Sequence, residues 1–250
     1  MAKDQKEIYF LSGESRTSLL GSPFVKGIRQ KDQDVLFMTH PIDEHMQQHM
    51  KTYEGKTLVN ISKEHDTFKE TNTELESCLC KRIKEVLQNA IEKVVVSTRL
   101  SDDPCCIVSG AYGWSANMER IMKSQTLQNN KNNPMNMMFG NKRTMEINPH
   151  HKIILKLQDG IQESNMSDIF INDSIRLMYD TAMLSSGYTH EDPSHFTNRV
   201  YNMLSIGLGT TNDEPESQME IEVDPTNEPE PYLVPDKVDA TKEEDMEEVD

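Results

Sequence analysis

Ile8-Tyr9-Phe10-Leu11 is an apolar run closed by Ser12-Gly13, and it reads as a short strand. Outward from it, Ser22-Pro23 offers a helix start, with Ser as the cap and Pro at the first helical position, where a missing N–H costs nothing. Phe24, Val25 and Ile28 supply that helix with an apolar face. A second strand over 35–39 leads through His40-Pro41 into a helix ending near Met50, and 56–62 reads as a third strand. Strand, helix, strand, helix, strand is the alternation of an α/β layer.

Beyond this layer the apolar period changes. Leu75, Leu79, Ile83, Val86, Leu87, Ala90 and Ile91 recur at three- and four-residue steps, which predicts a helix over about 74–92. Two strands are expected at 93–99 and 105–109, separated by the turn-forming Ser101-Asp102-Asp103-Pro104. Ser115 is a plausible cap for the next helix, which carries Met118, Ile121 and Met122 inward, and 128–140 is a polar, Asn-rich stretch. Asn148-Pro149 predicts a helix through Leu157, a long apolar helix follows over 168–185 with Gly187 as its stop, and Asp192-Pro193 opens the last.

The formal net charge of -16 is unevenly placed. Residues 213–250 hold 16 acids against Lys237 and Lys242, whereas the preceding residues are nearly neutral at -2. A neutral body and an anionic end lack the cationic surface that binds nucleic acid. The longest apolar runs fall far short of the roughly 18 to 20 residues of a membrane helix, and the charged start is unlike a secretory signal. Neither a membrane nor nucleic acid is therefore an expected partner. Five of the 11 prolines lie past residue 209 with little apolar content, so 210–250 is expected to be disordered.

Spacing decides among the candidate sites. His45 and His49 stand at i and i+4 with no evident third ligand, and solvated histidines are the favoured reading. Cys78, Cys80, Cys105 and Cys106 lack zinc-site spacing; reduced thiols packing as small hydrophobes fit better, the vicinal pair pointing to opposite faces. Gly113-Trp114-Ser115-Ala116-Asn117 fails as a nucleophile elbow because Asn117 replaces the second glycine. No phosphate-cradling glycine motif is present. Most of the 16 methionines suit core filling, but Met135, Met137, Met138 and Phe139 sit among polar residues and suit contact with irregular apolar surfaces. Met246-Glu247-Glu248-Val249-Asp250 carries a side-chain and a terminal carboxylate that cationic donors can clamp, with a merely solubilising tail as the plainer reading.

Ile8-Tyr9-Phe10-Leu11-Ser12-Gly13-Glu14-Ser15, Met38-Thr39-His40-Pro41-Ile42-Asp43-Glu44, Arg99-Leu100, Pro104-Cys105-Cys106-Ile107-Val108, the run from Tyr112 to Lys123, Glu146-Ile147-Asn148-Pro149, Leu184-Ser185-Ser186-Gly187-Tyr188 and the closing pentapeptide together resemble the eukaryotic cytosolic heat shock protein 90 chaperones. The resemblance covers only the back third of that family. It implies a mixed α+β and α/β fold: 1–65 as the small α/β end of a middle domain truncated at its start, 66–209 as an α+β C-terminal dimerisation and client-contact domain, and 210–250 as a disordered acidic tail.

By the same resemblance the last two long helices build a helical dimer bundle, with Ile171, Ile175, Met178, Ala182, Val200, Met203 and Leu204 as interface residues. Trp114, Met118, Met135, Met137, Met138 and Phe139 would contact client proteins. Met246, Glu247, Glu248, Val249 and Asp250 would dock tetratricopeptide-repeat co-chaperones. A cytoplasmic homodimeric chaperone is implied. The family's ATPase domain would lie upstream of residue 1, so the implied chain is not itself an enzyme and holds no catalytic, metal or cofactor residues, ATP and magnesium serving the full-length family. The alternative is a truncated relative that dimerises with full-length chaperone, or titrates co-chaperones, as a regulatory decoy.

Overall fold

The computed structural model describes residues 5–65, 68, 78–111, 113–125, 143–163, 166–190 and 192–210. Met1–Gly209 cluster as one unit, and the second unit, Thr210–Asp250, lies outside the described residues but for its first. Among the described residues there are two mixed sheets and eight α-helices.

The first sheet is built as the alternation predicts. Its strands β1 (Ile8–Ser12), β2 (Val35–Met38) and β4 (Lys56–Asn60) run parallel with β1 central, and the two-residue β3 (Thr52–Tyr53) pairs antiparallel to β4. Two helices precede β2. The short α1 (Arg16–Leu20) is not among the expected elements; its cap is Ser15, whose Oγ accepts from Ser18 N at 3.2 Å. The longer α2 (Pro23–Gln30) has proline in its first turn and buries Phe24, Val25 and Ile28 as predicted. Helix α3 (Pro41–His49) links β2 to β3.

Helix α4 (Leu79–Leu87) is the described part of the expected 74–92 helix; 71–77 lie outside the described residues. It ends early because Gln88 adopts a left-handed φ of 44° and the chain passes into a 3-10 turn. Its stripe nevertheless buries Leu79, Ile83 and Leu87.

The second sheet departs from expectation. Strands β5 (Lys93–Val96) and β6 (Cys105–Ser109) do not pair with each other, because β7 (Arg143–Ile147) lies between them, parallel to β5 and antiparallel to β6. Four of the five β7 residues are buried, Glu146 included, so the strand lacks the apolar and polar alternation that would have marked it. Helix α5 (Ala116–Gln125) follows β6, and Ser115 Oγ accepts from Met118 N at 3.1 Å, which is the expected cap. Helix α6 (Lys152–Glu163) starts three residues later than Asn148-Pro149 suggested. Asn148 is spent elsewhere: its Nδ2 donates to Ser101 O at 2.8 Å and its Oδ1 accepts from His150 N. Helices α7 (Asp168–Ser185) and α8 (Pro193–Leu208) end the described chain, the former followed by Gly187 at φ 92° and the latter by Gly209 at φ 66°.

All five residues of β6 are buried because the strand separates two cores. Cys105 and Ile107 pack with α4, α6 and α7, whereas Cys106 and Val108 pack against Tyr9, Leu11, Val59 and α2. Alternation of side chains across a strand makes one element serve both. The opposed placement of the vicinal cysteines is thus as the sequence indicates, although Cys78 is exposed rather than buried.

Burial pushes the Cys105 thiol up to about 12 from its ordinary 9.0 and raises Cys106 as well. The unfolded thiol ionises near 9.0, so between these values the unfolded chain binds fewer protons. The stability contributed is fully present below pH 9.0 and is lost as pH climbs toward 12. Denaturant midpoints measured from neutral to alkaline pH should fall above 9.0, and less steeply in a Cys105→Ala, Cys106→Ala variant. Equal slopes would show that the thiols do not govern the loss.

Candidate functional site

Helix α8 is the one described α-helix with no buried residue, although Tyr201, Leu204, Ile206 and Leu208 lie within its span and are 62%, 53%, 47% and 76% exposed. Tyr201, Leu204 and Leu208 fall at i, i+3 and i+7, one helical face. Val200 and Met203, on the neighbouring face, are half-buried. Ile169 and Phe170 of α7 join Met203 and Ile206 around a 380 Å³ groove. A second apolar groove of 360 Å³ is lined by Pro104, Leu177, Met178, Ala182 and Met203. Exposed apolar surface of this kind is what a partner covers.

The seven expected interface residues divide between two environments. Val200, Met203 and Leu204 belong to the surface just described. Ile171, Ile175, Met178 and Ala182 instead point into the chain's own core, at 3%, 0%, 7% and 2% exposure. The fully enclosed Ile175 has no area left for a partner to cover. The reason is that α7 is apolar on more than one side, and its most apolar stripe is spent on β6 and α4.

Around Trp114 the arrangement is polar. A 500 Å³ cavity is lined by Glu44, Gln47, Asn60, Lys63, Trp114 and Met118, among others. Glu44 is 3% exposed; its Oε1 accepts from Ser115 Oγ at 2.9 Å and Asn117 Nδ2 at 3.0 Å, and Oε2 accepts from Gln47 Nε2. Gln47 Oε1 accepts from Asn60 Nδ2 at 3.0 Å, and Asn60 Oδ1 accepts from Ser62 N and Oγ at 2.9 and 2.8 Å. Buried carboxylates and amides are tolerated when so satisfied.

Lys63 Nζ donates to Gly113 O at 2.8 Å. Loss of solvation pulls that ammonium below its ordinary value, partly offset by the Glu44 charge. The network ties α3, the end of β4 and the start of α5 together. Sequence reasoning missed it; the available signal was the i, i+3 spacing of Glu44 and Gln47.

Of the expected client-contact residues, Trp114 is half-buried at this cavity and Met118 is 8% exposed on its wall. Met135, Met137, Met138 and Phe139 lie outside the described residues, as do Met246, Glu247, Glu248, Val249 and Asp250. His45 and His49 are exposed on α3, and among the described residues no group of three His, Cys, Asp or Glu could hold a metal. No helix among them is long and apolar enough to cross a membrane.

Residues 1–232 match the family described as Hsp90 protein. The chain is 40% identical over 223 residues to the human putative heat shock protein HSP 90-beta-3, covering 86% of this chain and 37% of that protein. Heat shock protein 83 of Leishmania donovani is 38% identical over 86% of this chain and 48% of its own length. The Arabidopsis thaliana endoplasmin homolog is 37% identical over 92% and 28%. The chain thus spans less than half the length of these relatives. Other relatives from Arabidopsis thaliana are named as chloroplastic and mitochondrial forms, so family membership does not fix a compartment.

These matches overturn one expectation. The reading of the chain as a non-enzyme without an ATPase domain rested on where its first residue falls in a longer protein. The family match runs over residues 1–232 from the first residue onward and gives that reading no support, so it is withdrawn. With the match extending over most of its residues, the chain belongs to the Hsp90 family.

Proposed function

We propose that this chain serves an Hsp90-type chaperone as its C-terminal portion, with 1–65 as the end of a middle domain and 66–209 as the dimerisation and client-contact domain. It pairs with a second copy through α8 and docks tetratricopeptide-repeat co-chaperones through Met246-Glu247-Glu248-Val249-Asp250. The observation that carries this reading is the α8 face of Tyr201, Leu204 and Leu208, which nothing else in the described chain covers. A helix that is apolar on a side turned to water gains by burying that side, at about 25 cal/mol per Å².

Client proteins are the third partner. Trp114 at its cavity, with Met135, Met137, Met138 and Phe139, offers the soft apolar groups for them. ATP and magnesium are the cofactors of the chaperone as a whole, and the terminal pentapeptide favours a cytoplasmic setting.

Sedimentation of the wild-type chain should give a dimer at micromolar concentration. Leu204→Glu should weaken it at least about tenfold, as for a central apolar anchor. In the same preparations, removal of residues 246–250 should abolish binding to a tetratricopeptide-repeat domain. A wild-type monomer would sink the dimer reading, and unchanged binding by the shortened chain would sink the docking reading.

A further inference from the structure

Polar contacts from Asp180 help to hold α8 in place. Apolar burial alone does not fix it, because none of its residues is buried and the side carrying Phe196, Val200 and Met203 is only half-buried. Such a contact leaves rotation and sliding weakly resisted. A directional, charge-assisted bond resists both.

Asp180 supplies one. It lies in α7 beside the buried Ala182 and Met183, with its side chain 8% exposed, and a carboxylate at that depth must be paired. One oxygen accepts from Arg199 Nη1 of α8, and the other lies 3.2 Å from His190 Nε2 in the connection between the two helices. The His190 ring stacks on Phe196 of α8 with centroids 5.4 Å apart and planes at 34°. Asp192 completes the entry, its Oδ1 accepting from His195 N at 3.2 Å. One buried carboxylate therefore grips both the connection and the second turn of the helix. Arg199 and Val200 are consecutive, so fixing the direction of one fixes which side of α8 faces α7. The side left facing away carries Tyr201, Leu204 and Leu208.

We propose that Asp180 is a positioning residue for dimerisation: through Arg199 and His190 it sets the rotation of α8, and so the geometry of the apolar face presented to a second copy of this chain. The inference rests on the dimer reading above and adds to it a residue that need not touch the partner. Substitution at Asp180 acts on the partner surface at a distance, whereas Leu204→Glu acts on it directly.

The test uses the full-length chain as Asp180→Asn, Arg199→Met and Arg199→Lys. Backbone hydrogen exchange is followed in α8 and in β5–β7 at a dilution where any dimer has dissociated, and the dimer constant is measured by sedimentation. Asp180→Asn and Arg199→Met should each raise exchange in α8 about tenfold, the loss of one charge-assisted bond, with β5–β7 unchanged and the dimer weakened to a similar degree. Arg199→Lys should retain most of the protection. Unchanged α8 exchange in Arg199→Met overturns the proposal, as does Asp180→Asn exchange that rises equally throughout the chain while Arg199→Met behaves as wild type. If the wild-type chain sediments as a monomer, the dimer reading fails by itself, and the α8 exchange still decides whether Asp180 seats the helix.

Discussion

Glu146→Gln should cost the folded chain about 3–5 kcal/mol, the loss that follows when one partner of a buried ion pair is removed and the other charge stays behind. The stranded charge is Arg99, whose side chain is 1% exposed, against 3% for Glu146. Its Nη2 donates to Glu146 Oε1 at 2.7 Å, its Nη1 donates to Ile61 O at 2.6 Å, and both reach Lys63 O at 3.2 Å. The guanidinium also stands 4.2 Å from the Phe68 ring centroid. Two carbonyls and an aromatic face cannot replace a carboxylate as counter-charge, and at this depth water cannot either. Because Glu146 lies on the central strand of the second sheet and Ile61 just past β4 of the first, the pair pins one sheet to the other. Ser97 Oγ steadies the arrangement by donating to Glu146 Oε2 at 2.6 Å.

The double variant Arg99→Met, Glu146→Leu removes both charges and should be less damaging than Glu146→Gln. Denaturant unfolding of the three proteins decides the matter. A Glu146→Gln midpoint equal to wild type would mean that the pair holds nothing together.

The parts of the fold that could be read from sequence are those where pattern and burial agree. β1 is an apolar run whose Tyr9, Phe10 and Leu11 are buried, and Pro23, Pro41 and Pro193 mark helix starts by their fixed backbone geometry. The long α7 is delimited at both ends, since Asp168 follows a capping Ser167 and Gly187 supplies the left-handed turn.

What could not be read is polar and buried. β7 escaped notice because Arg143 and Glu146 break its apolar run, and distant partners let the half-buried Arg143 and the buried Glu146 sit there: Glu119 for Arg143, and Arg99 for Glu146. The Glu44 network is hidden for the same reason, its partners lying 71 and 73 residues away in sequence. Likewise, nothing local tells Ile175, enclosed by its own chain, from Leu204, turned to water. Both are aliphatic positions on apolar helices, and only the packing of β6 and α4 against α7 separates them.

Gly27→Ala should destabilise the chain by about 3 kcal/mol or more, an overpacking penalty at the upper end of its range. In an ordinary helix the same change stabilises by up to about 1 kcal/mol, since alanine forms helix better than glycine. Gly27 lies inside α2, but a Cβ there would fall 1.5 Å from the Arg99 carbonyl oxygen and 2.7 Å from its carbonyl carbon. These are backbone atoms, and the residue that carries them is held by Ile61, Lys63, Glu146 and the Phe68 ring, so the loop cannot yield without breaking those contacts. Either α2 lifts from the sheet, uncovering Phe24 and Val25, or the guanidinium loses its counter-charge.

Gly207→Ala is the control. Beyond its neighbours and its own helix backbone, no atom lies within 4 Å of a Cβ at that position of α8, so the substitution should be neutral or slightly stabilising. Because Gly27 and Glu146 both act through Arg99, their losses should not add: a chain already deprived of Glu146 has a looser Arg99 loop and should tolerate Gly27→Ala better than wild type does. Fully additive losses from Gly27→Ala and Glu146→Gln would show that the close approach of α2 and the ion pair are separate constraints.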